Sequence, residues 1–158
     1  MVSSDPLALR SANITTCSSV IQVPVLNLIS NIKERAGWCH IRVGGNTQEN
    51  AQLVASLPNG TILAKDNAAV TGTTQTPPIE YTPDLLYMLS NISSLVGAKW
   101  SLGIPFFNTT PFSLAIVERS QQILGSNLFG YQAGNEPDLY SAHGHRNAVS
   151  ARPLGPYA

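Results

Sequence analysis

Three short apolar runs, separated by stretches with helical periodicity, constrain the fold of this chain more than any other feature. The apolar runs are residues 38–43, 99–105 and 128–133. The helical patterns are residues 25–36, 49–57, 83–96 and 111–124. Short apolar runs bounded by turn residues are typical of buried strands. The alternation of helix and strand therefore predicts βα units, with the three strands adjacent and parallel and the last two helices packed outside them.

Glycine and proline mark the ends of the predicted helices. Gly37 and Gly97 directly follow two of the helical patterns, as glycine at a helix C-terminus does. Thr82 and Pro83 suit the N-cap and first position of the third helix, because the missing N–H of proline costs nothing there. Residues 65–78, which are polar and contain paired prolines, are predicted to form a surface excursion.

The length and charge of the chain limit its structural class and its partners. With 158 residues it is long enough for one core of ordinary size and too short for two typical domains. Charged residues make up 11% of the sequence, and nine basic residues balance nine acidic ones. Such a chain does not favour nucleic acid or an anionic membrane as a partner. No apolar run is long enough to span a bilayer.

Four Asn-x-Ser/Thr sequons favour a secreted glycoprotein, because such sites carry glycan only in the secretory pathway. Their asparagines are Asn13, Asn59, Asn91 and Asn108. A chain rich in Asn, Ser and Thr also produces sequons by chance, and residues 1–9 do not show a signal peptide. The alternatives are therefore an intracellular protein or an extracellular one whose true N-terminus has been lost.

The cysteines and histidines offer little metal chemistry. Cys17 and Cys39 either form one disulfide, if the fold brings their α-carbons within about 7 Å, or remain two separate buried thiols. The sequence has no Cys-x-x-Cys motif, so a structural zinc site is not expected. His143 and His145, with His40 distant in sequence, lack an evident third ligand and are interpreted as surface histidines. Neither a metal nor a cofactor is expected.

Polar loops follow all three predicted strands. The loops contain Gly44-Gly45-Asn46-Thr47, Phe107-Asn108 and Gly134-Asn135-Glu136. In a parallel α/β fold the carboxyl ends of the strands open on one face, where active sites form. The first loop lacks the glycine spacing and the Gly-Lys-Ser/Thr ending of phosphate-binding loops, so nucleotide binding is not expected. Arg42, before that loop, either faces substrate or is a buried cation paired with Glu136 or Glu49.

Glu136 is the strongest candidate for chemistry. An acid directly after an apolar strand lies at the mouth of such a fold, where a glycosidic oxygen can receive its proton, and Asn135 can hydrogen-bond a sugar hydroxyl. Pro137 excludes the right-handed helical conformation for Glu136 and so limits the direction of its side chain. Partial burial among aromatic residues would help to keep the acid protonated. The aromatic candidates are Trp100, Tyr131 and Tyr140.

Residues 128–140 read Leu-Phe-Gly-Tyr-Gln-Ala-Gly-Asn-Glu-Pro-Asp-Leu-Tyr. This run resembles the fourth barrel strand and acid/base segment of family 79 glycoside hydrolases, which include β-glucuronidases and heparanase. Residues 41–47, Ile-Arg-Val-Gly-Gly-Asn-Thr, are similar to the Arg-x-Gly-Gly segment that ends the second strand in that family. Residues 99–106 are similar to its third strand. The resemblance is strongest to fungal β-glucuronidase-like members and covers about residues 21–146.

The resemblance implies a secreted glycosidase that hydrolyses O-glycosyl bonds with retention of configuration, on a (β/α)₈ barrel with an appended β-sandwich. It implies that Glu136 is the general acid/base, that Asn135 contacts the 2-hydroxyl of the sugar, and that Asn46 also binds substrate. The implied partner is a carbohydrate such as a glucuronide, and the implied location of the full-length protein is extracellular. Residues 1–20 would be a divergent segment, residues 21–146 an incomplete α/β TIM barrel covering about strands two to four, and residues 147–158 an irregular tail.

The second carboxyl group of a retaining glycosidase has no match in this chain. Retaining hydrolysis uses two carboxyl groups about 5–5.5 Å apart, and in the resembling family the nucleophile is a Glu on the seventh strand. The chain ends at Ala158, after the predicted fourth barrel strand, so we expect it to be inactive as written. Two interpretations remain: part of a glycoside hydrolase, or a non-catalytic carbohydrate-binding or remnant protein.

Overall fold

A computed structural model describes residues 22–70, 76–107 and 112–142 of the chain. In chain order its helices and strands are α1 (Val23–Ala36), β1 (His40–Val43), β2 (Gln52–Leu53), β3 (Leu63–Lys65), β4 (Ile79–Tyr81), α2 (Pro83–Val96), β5 (Lys99–Ile104), α3 (Ala115–Leu124) and β6 (Leu128–Ala133). The described residues thus have a mixed α/β fold with three α-helices and two small sheets.

The sheet that carries the three predicted strands is parallel and has the order β1–β5–β6. Ile41 lies opposite Trp100, and Trp100 lies opposite Leu128, so these three side chains share one face of the sheet. The predicted adjacency and direction of the three strands are confirmed. The helices cover this same face, with α2 in contact with both α1 and α3.

The core lies between the three helices and this sheet. Its buried residues are Ile29, Cys39, Leu86, Leu89, Ala98, Trp100, Leu102 and Leu124. Trp100 satisfies its indole N–H inside the core by donating to the Leu89 carbonyl oxygen at 3.1 Å and to Ser93 Oγ at 2.7 Å. Apolar burial on one face of the sheet is the main force that holds the helices against it.

A second sheet flanks the predicted polar excursion, residues 65–78, and of the described residues of that excursion only Lys65 lies in a strand. Residues 71–75 lie outside the described residues. β4 lies between β2, to which it is parallel, and β3, to which it is antiparallel. Tyr81 on β4 is 5% exposed, and burial raises the pKa of its phenol. A cavity of about 130 Å³ is lined mainly by apolar residues of this sheet, β5 and α2, including Leu63, Leu86 and Leu102.

The helix predicted over residues 49–57 is wrong. The structure instead has the end of a 3₁₀-helix, Asn46–Asn50, followed by β2 in this segment. Gln48 and Glu49 in the 3₁₀-helix are each 4% exposed. The Gln48 side chain binds backbone carbonyl groups at the ends of β5 and β6, and the Glu49 side chain binds the loops that follow these strands. A 3.6-residue periodicity carries no information about such long-range hydrogen bonds.

The third α-helix begins later than predicted. α3 starts at Ala115 instead of residue 111, and Phe112, predicted to face inward, is 38% exposed. The Phe112 ring packs edge-on against Phe106, with ring centroids 5.6 Å apart. Phe112 therefore covers the loop after β5 and does not enter the core. Pro111 lies outside the described residues.

The predicted ends of α1 and α2 are confirmed. Gly37 (φ 79°) and Gly97 (φ 67°) are left-handed, a conformation that glycine adopts without a β-carbon clash. Thr82 and Pro83 occupy the N-cap and first turn of α2. The Thr82 hydroxyl is buried and has no hydrogen-bond partner among the described residues, so its side chain does not cap the helix.

Candidate functional site

The carboxyl ends of β1, β5 and β6 bring three loops together at one edge of the parallel sheet. Arg42 Nη2 donates to Asn135 Oδ1 at 2.8 Å, and Asn135 Nδ2 donates to Asn46 Oδ1 at 2.7 Å. Asn46 and Asn135 are 89 residues apart in the sequence. The structure therefore places the two asparagines that were predicted to bind sugar in direct contact.

Arg42 faces these loops and is exposed. Besides its bond to Asn135, its Nη2 atom donates to Gln48 Oε1 at a long 3.4 Å. Its partners are thus amide oxygens, and the structure favours the interpretation of Arg42 as a residue of the strand-end face over that of a buried cation. Its guanidinium group brings a positive charge to the edge where the asparagines lie.

Glu136 lies next to Asn135 with an exposed side chain. Its backbone has φ 50° and ψ 54°, the left-handed region that is uncommon for residues with a β-carbon and recurs at functional sites. Pro137 disfavours the right-handed helical conformation at the residue before it and begins the 3₁₀-helix Pro137–Leu139. Asn135 Nδ2 lies 3.4 Å from Glu136 Oε2, so the amide and the carboxyl group are neighbours.

The aromatic enclosure predicted for Glu136 is wrong. Trp100 is 4% exposed within the core. The Tyr131 hydroxyl lies 2.8 Å from Ser120 Oγ on α3. A register shift after Leu128 pairs Tyr131 with Leu102, so Tyr131 lies on the face of the sheet that the helices cover. Tyr140 donates its hydroxyl proton to a different carboxylate.

That carboxylate is Glu49, which joins the loops and which the sequence offered only as a possible partner of Arg42. Glu49 is 4% exposed. Its Oε2 accepts hydrogen bonds from the backbone N–H of Phe106 at 2.7 Å and of Phe107 at 3.1 Å. Its Oε1 accepts from the backbone N–H of Asn135 and from the Tyr140 hydroxyl at 2.7 Å. Both oxygens of Glu49 are therefore occupied by donors that follow β5 and β6.

The sequence reveals little of this role of Glu49. Its donors lie between 57 and 91 residues further along the chain, so no local pattern reports them. The one signal in the sequence is the position of Glu49 after a predicted strand. Glu49 follows the glycine-rich loop after β1, and that loop opens on the same edge of the sheet as Glu136.

Gln48, beside Glu49, links the same strand ends. Its Nε2 atom donates to the carbonyl oxygens of Ile104 at 3.3 Å and Gln132 at 3.4 Å. Its Oε1 atom accepts from the Gly45 N–H at 3.1 Å. A β-carbon at Gly103 would collide with the Gln48 side chain, so glycine on β5 makes room for the crossing amide.

Two of the four sequon asparagines lie in the described part of the chain, and both are exposed. Asn59 lies in the turn Pro58–Gly60 and Asn91 on α2. Asn13 and Asn108 lie outside the described residues. Exposure is the condition that glycan attachment requires.

The metal and disulfide predictions fall largely on other parts of the chain. Cys39 is buried in the core, while Cys17, His143 and His145 lie outside the described residues. Among the residues that are described, no group of three His, Cys, Asp or Glu side chains is placed to hold a metal ion. No helix in that part of the chain is long and apolar enough to cross a membrane.

Comparison with known proteins gives a likeness of fold. No protein-family model matches the chain, and no curated protein matches its sequence significantly. A similar solved structure is that of a 4-O-α-L-rhamnosyl-β-D-glucuronidase from Fusarium oxysporum 12S in its Rha-GlcA complex, with a TM-score of 0.58 and 21% identity. The match covers 79% of this chain and 27% of that chain, so this chain spans about a quarter of the glucuronidase. The matched part of this chain thus shares the fold of part of that glucuronidase.

Proposed function

We propose that this chain is part of a retaining, β-glucuronidase-like glycoside hydrolase and supplies about strands two to four of its (β/α)₈ barrel. In this proposal Glu136 is the general acid/base, and Asn135 and Asn46 bind the sugar. One observation carries it: Asn135, held between Arg42 and Asn46, lies beside the exposed Glu136 at the carboxyl ends of parallel strands. The likeness to a glucuronidase fold supports the substrate class.

The hydrogen-bonding capacity of Asn135 allows it to bind a sugar hydroxyl while it keeps its bonds to Arg42 and Asn46. A side-chain amide has two N–H donors and an oxygen with two lone pairs. One N–H goes to Asn46 and one lone pair accepts from Arg42. The second N–H donates to Glu136 Oε2 at a long 3.4 Å, and the 2-hydroxyl of a sugar positioned against the acid can replace Glu136 as its acceptor.

Glu136 performs both proton transfers of the retaining reaction in this proposal. In its protonated form it donates a proton to the departing glycosidic oxygen, and in its ionised form it takes a proton from the water that hydrolyses the glycosyl-enzyme. The nucleophile is a second carboxylate. Glu49 does not suit that role, because it is 4% exposed and both its oxygens accept hydrogen bonds from the protein. We therefore assign the nucleophile to residues outside the described part of the enzyme.

The burial of Glu49 and the hydrogen bonds to both its oxygens also favour a second candidate function, that of a protein that binds carbohydrate without cleaving it. The strand-end face would then hold a glycoside through its asparagines, and Glu136 would accept hydrogen bonds without transferring a proton. The two functions differ in one observable, the presence of a nucleophilic carboxylate across the sugar from Glu136. We also propose an extracellular location, which the exposure of Asn59 and Asn91 supports.

Replacing Asn135 with alanine should weaken the binding of methyl β-D-glucuronide about tenfold, because the lost hydrogen bonds to the sugar are worth about 1.4 kcal/mol. The affinity is measured by NMR titration of the chain with the glycoside. The matched control is Asn91→Ala on the exposed surface of α2, which should bind the glycoside like the unchanged chain. Equal affinity of Asn135→Ala and the unchanged chain would exclude Asn135 as a sugar ligand.

The 158-residue chain itself should give no detectable hydrolysis of an aryl β-glucuronide. Without a nucleophile no glycosyl-enzyme forms, and the acid alone cannot complete the retaining reaction. The measurement is release of the phenol by the purified chain, compared with a longer form that carries the rest of the barrel. Release by the short chain that disappears in Glu136→Gln would mean that the chain already holds a complete site.

A further inference from the structure

We propose that Glu49 is a positioning residue, which fixes the backbone of Asn135 and through it the directions of the Asn135 and Glu136 side chains. Glu49 is 4% exposed and its oxygens are bound to protein donors, so it acts on substrate only through these neighbours. What Asn135 and Glu136 do with a sugar rests on the proposed function. Glu49 holds these two residues in place whether or not they bind a sugar.

The two carboxylate oxygens of Glu49 accept hydrogen bonds from two different loops. Oε2 accepts from the backbone N–H groups of Phe106 and Phe107, which follow β5. Oε1 accepts from Asn135 and Tyr140, which follow β6. Because one rigid carboxylate spans both groups of donors, the loop after β6 is held in register with the loop after β5.

The loop after β6 is built to reach this carboxylate. Gly134 has φ 70°, and a β-carbon there would collide with the Tyr140 hydroxyl. Glycine thus permits the Asn135 N–H and the Tyr140 hydroxyl to approach the same oxygen of Glu49. Hydrogen bonds from N–H and O–H groups to a carboxylate are charge-assisted and replace the water that a buried carboxylate loses.

When Glu49 is replaced by glutamine, we expect the Asn135 N–H, among the four donors to Glu49, to lose its acceptor. Glutamine has nearly the same shape, but one of its two positions becomes an NH₂ group that cannot accept. If the NH₂ group replaced Oε2, it would face the N–H donors of both Phe106 and Phe107. If it replaces Oε1, it can donate to the Tyr140 oxygen, and the Asn135 N–H alone faces another donor. The second orientation conflicts with fewer donors, so Asn135 is the residue that loses its acceptor.

The experiment follows backbone amide exchange in the 158-residue chain by NMR. In Glu49→Gln the Asn135 amide should exchange roughly 10-fold to 100-fold faster, in keeping with the loss of a hydrogen bond to a charged acceptor. The exchange rates of the Phe106 and Phe107 amides, and of β5 amides such as Leu102, should change less than threefold. A variant with merely lower global stability would speed exchange of the slowest core amides as well. Glu118→Gln on the exposed surface of α3 is the matched control and should leave the Asn135 amide unchanged.

The unchanged chain provides a second measurement that does not depend on whether the variant folds. A scalar coupling across the hydrogen bond should join the Asn135 amide nitrogen to the Glu49 side-chain carboxyl carbon. Absence of this coupling, or Asn135 exchange in Glu49→Gln within twofold of that in Glu118→Gln, overturns the positioning role.

Titration with methyl β-D-glucuronide then connects the positioning role to the site. We expect Glu49→Gln to bind the glycoside at least fivefold more weakly than Glu118→Gln, because Asn135 is no longer held against the sugar. Unchanged affinity in Glu49→Gln together with faster exchange at Asn135 would overturn the claim that Glu49 serves the sugar site. If the unchanged chain does not bind the glycoside, the proposed function fails, while the exchange and coupling data still decide whether Glu49 positions Asn135.

Discussion

Replacing Glu136 with glutamine in a longer, hydrolytically active form of this protein is expected to slow the cleavage of glycosides with poor leaving groups by roughly 10²–10⁴-fold. That is the range that a positioned general acid contributes. Glutamine cannot donate a proton to the departing oxygen, so an alkyl β-glucuronide should be affected most. The aryl group of an activated aryl glucuronide departs without protonation. The rate of the first step should therefore fall less with this substrate. The measurement is the ratio of kcat/KM between the two substrates.

Azide separates the two proton transfers of Glu136. With the activated substrate, the glycosyl-enzyme of Glu136→Gln accumulates because no base assists the attacking water. A small anion attacks without such help, so added azide should restore part of the turnover and yield a glycosyl azide. Asp138→Asn, in the exposed turn two residues further on, is the control and should retain activity. A loss of equal size for good and poor leaving groups, without azide rescue, would make Glu136 a positioning residue instead of the acid.

The second large effect concerns stability. Leu86→Ala should lower the free energy of unfolding by about 2–5 kcal/mol, the usual cost of removing a buried leucine side chain. Leu86 is 1% exposed and also lines the cavity of about 130 Å³. Its removal enlarges an existing void, and the cost of such substitutions rises with the volume left empty. We therefore expect a value in the upper half of the range, measured by urea unfolding.

The same helix supplies the control for this prediction. Leu95 lies on α2, as Leu86 does, but is 66% exposed. Leu95→Ala keeps the chemistry of the substitution and the helical context, and should change the free energy of unfolding by less than about 0.5 kcal/mol. Similar values for both variants would mean that α2 does not pack on the sheet as described.

Elements whose residues interact with near neighbours in the sequence were predictable. The strand Leu128–Ala133 and the helix Pro83–Val96 have the predicted bounds, because an apolar run between turn residues and a helix between Thr82 and Gly97 each carry their own start and stop signals. The parallel order of the sheet followed from the alternation of helices and strands. The contact of Asn46 with Asn135 agrees with the rule that strand ends share an edge.

The features that were missed depend on partners far away in the chain. Glu49 was the first residue of a predicted helix and Gln48 the residue before it, yet Gln48 binds Ile104, 56 residues away, and Glu49 binds Asn135, 86 residues away. Such bonds override local propensity and leave no periodic trace. Tyr131 and Tyr140 were placed near Glu136 because they are close to it in sequence. The register shift in β6 turned Tyr131 toward α3, and Tyr140 donates its hydroxyl proton to Glu49.

The shared carboxylate of Glu49 also bears on how the site can evolve. In βα folds the loops at the carboxyl ends of strands usually vary independently, which allows one scaffold to acquire many specificities. Here the segments after β5 and β6 both donate hydrogen bonds to the side chain of Glu49, which lies in the segment after β1. An insertion in one of these three segments would therefore disturb the hydrogen bonds by which Glu49 joins all three. Changes in what this edge of the sheet binds are therefore expected to arise through coordinated substitutions in all three loops, and grafting a single loop from a protein of the same fold should fail where grafting the set succeeds.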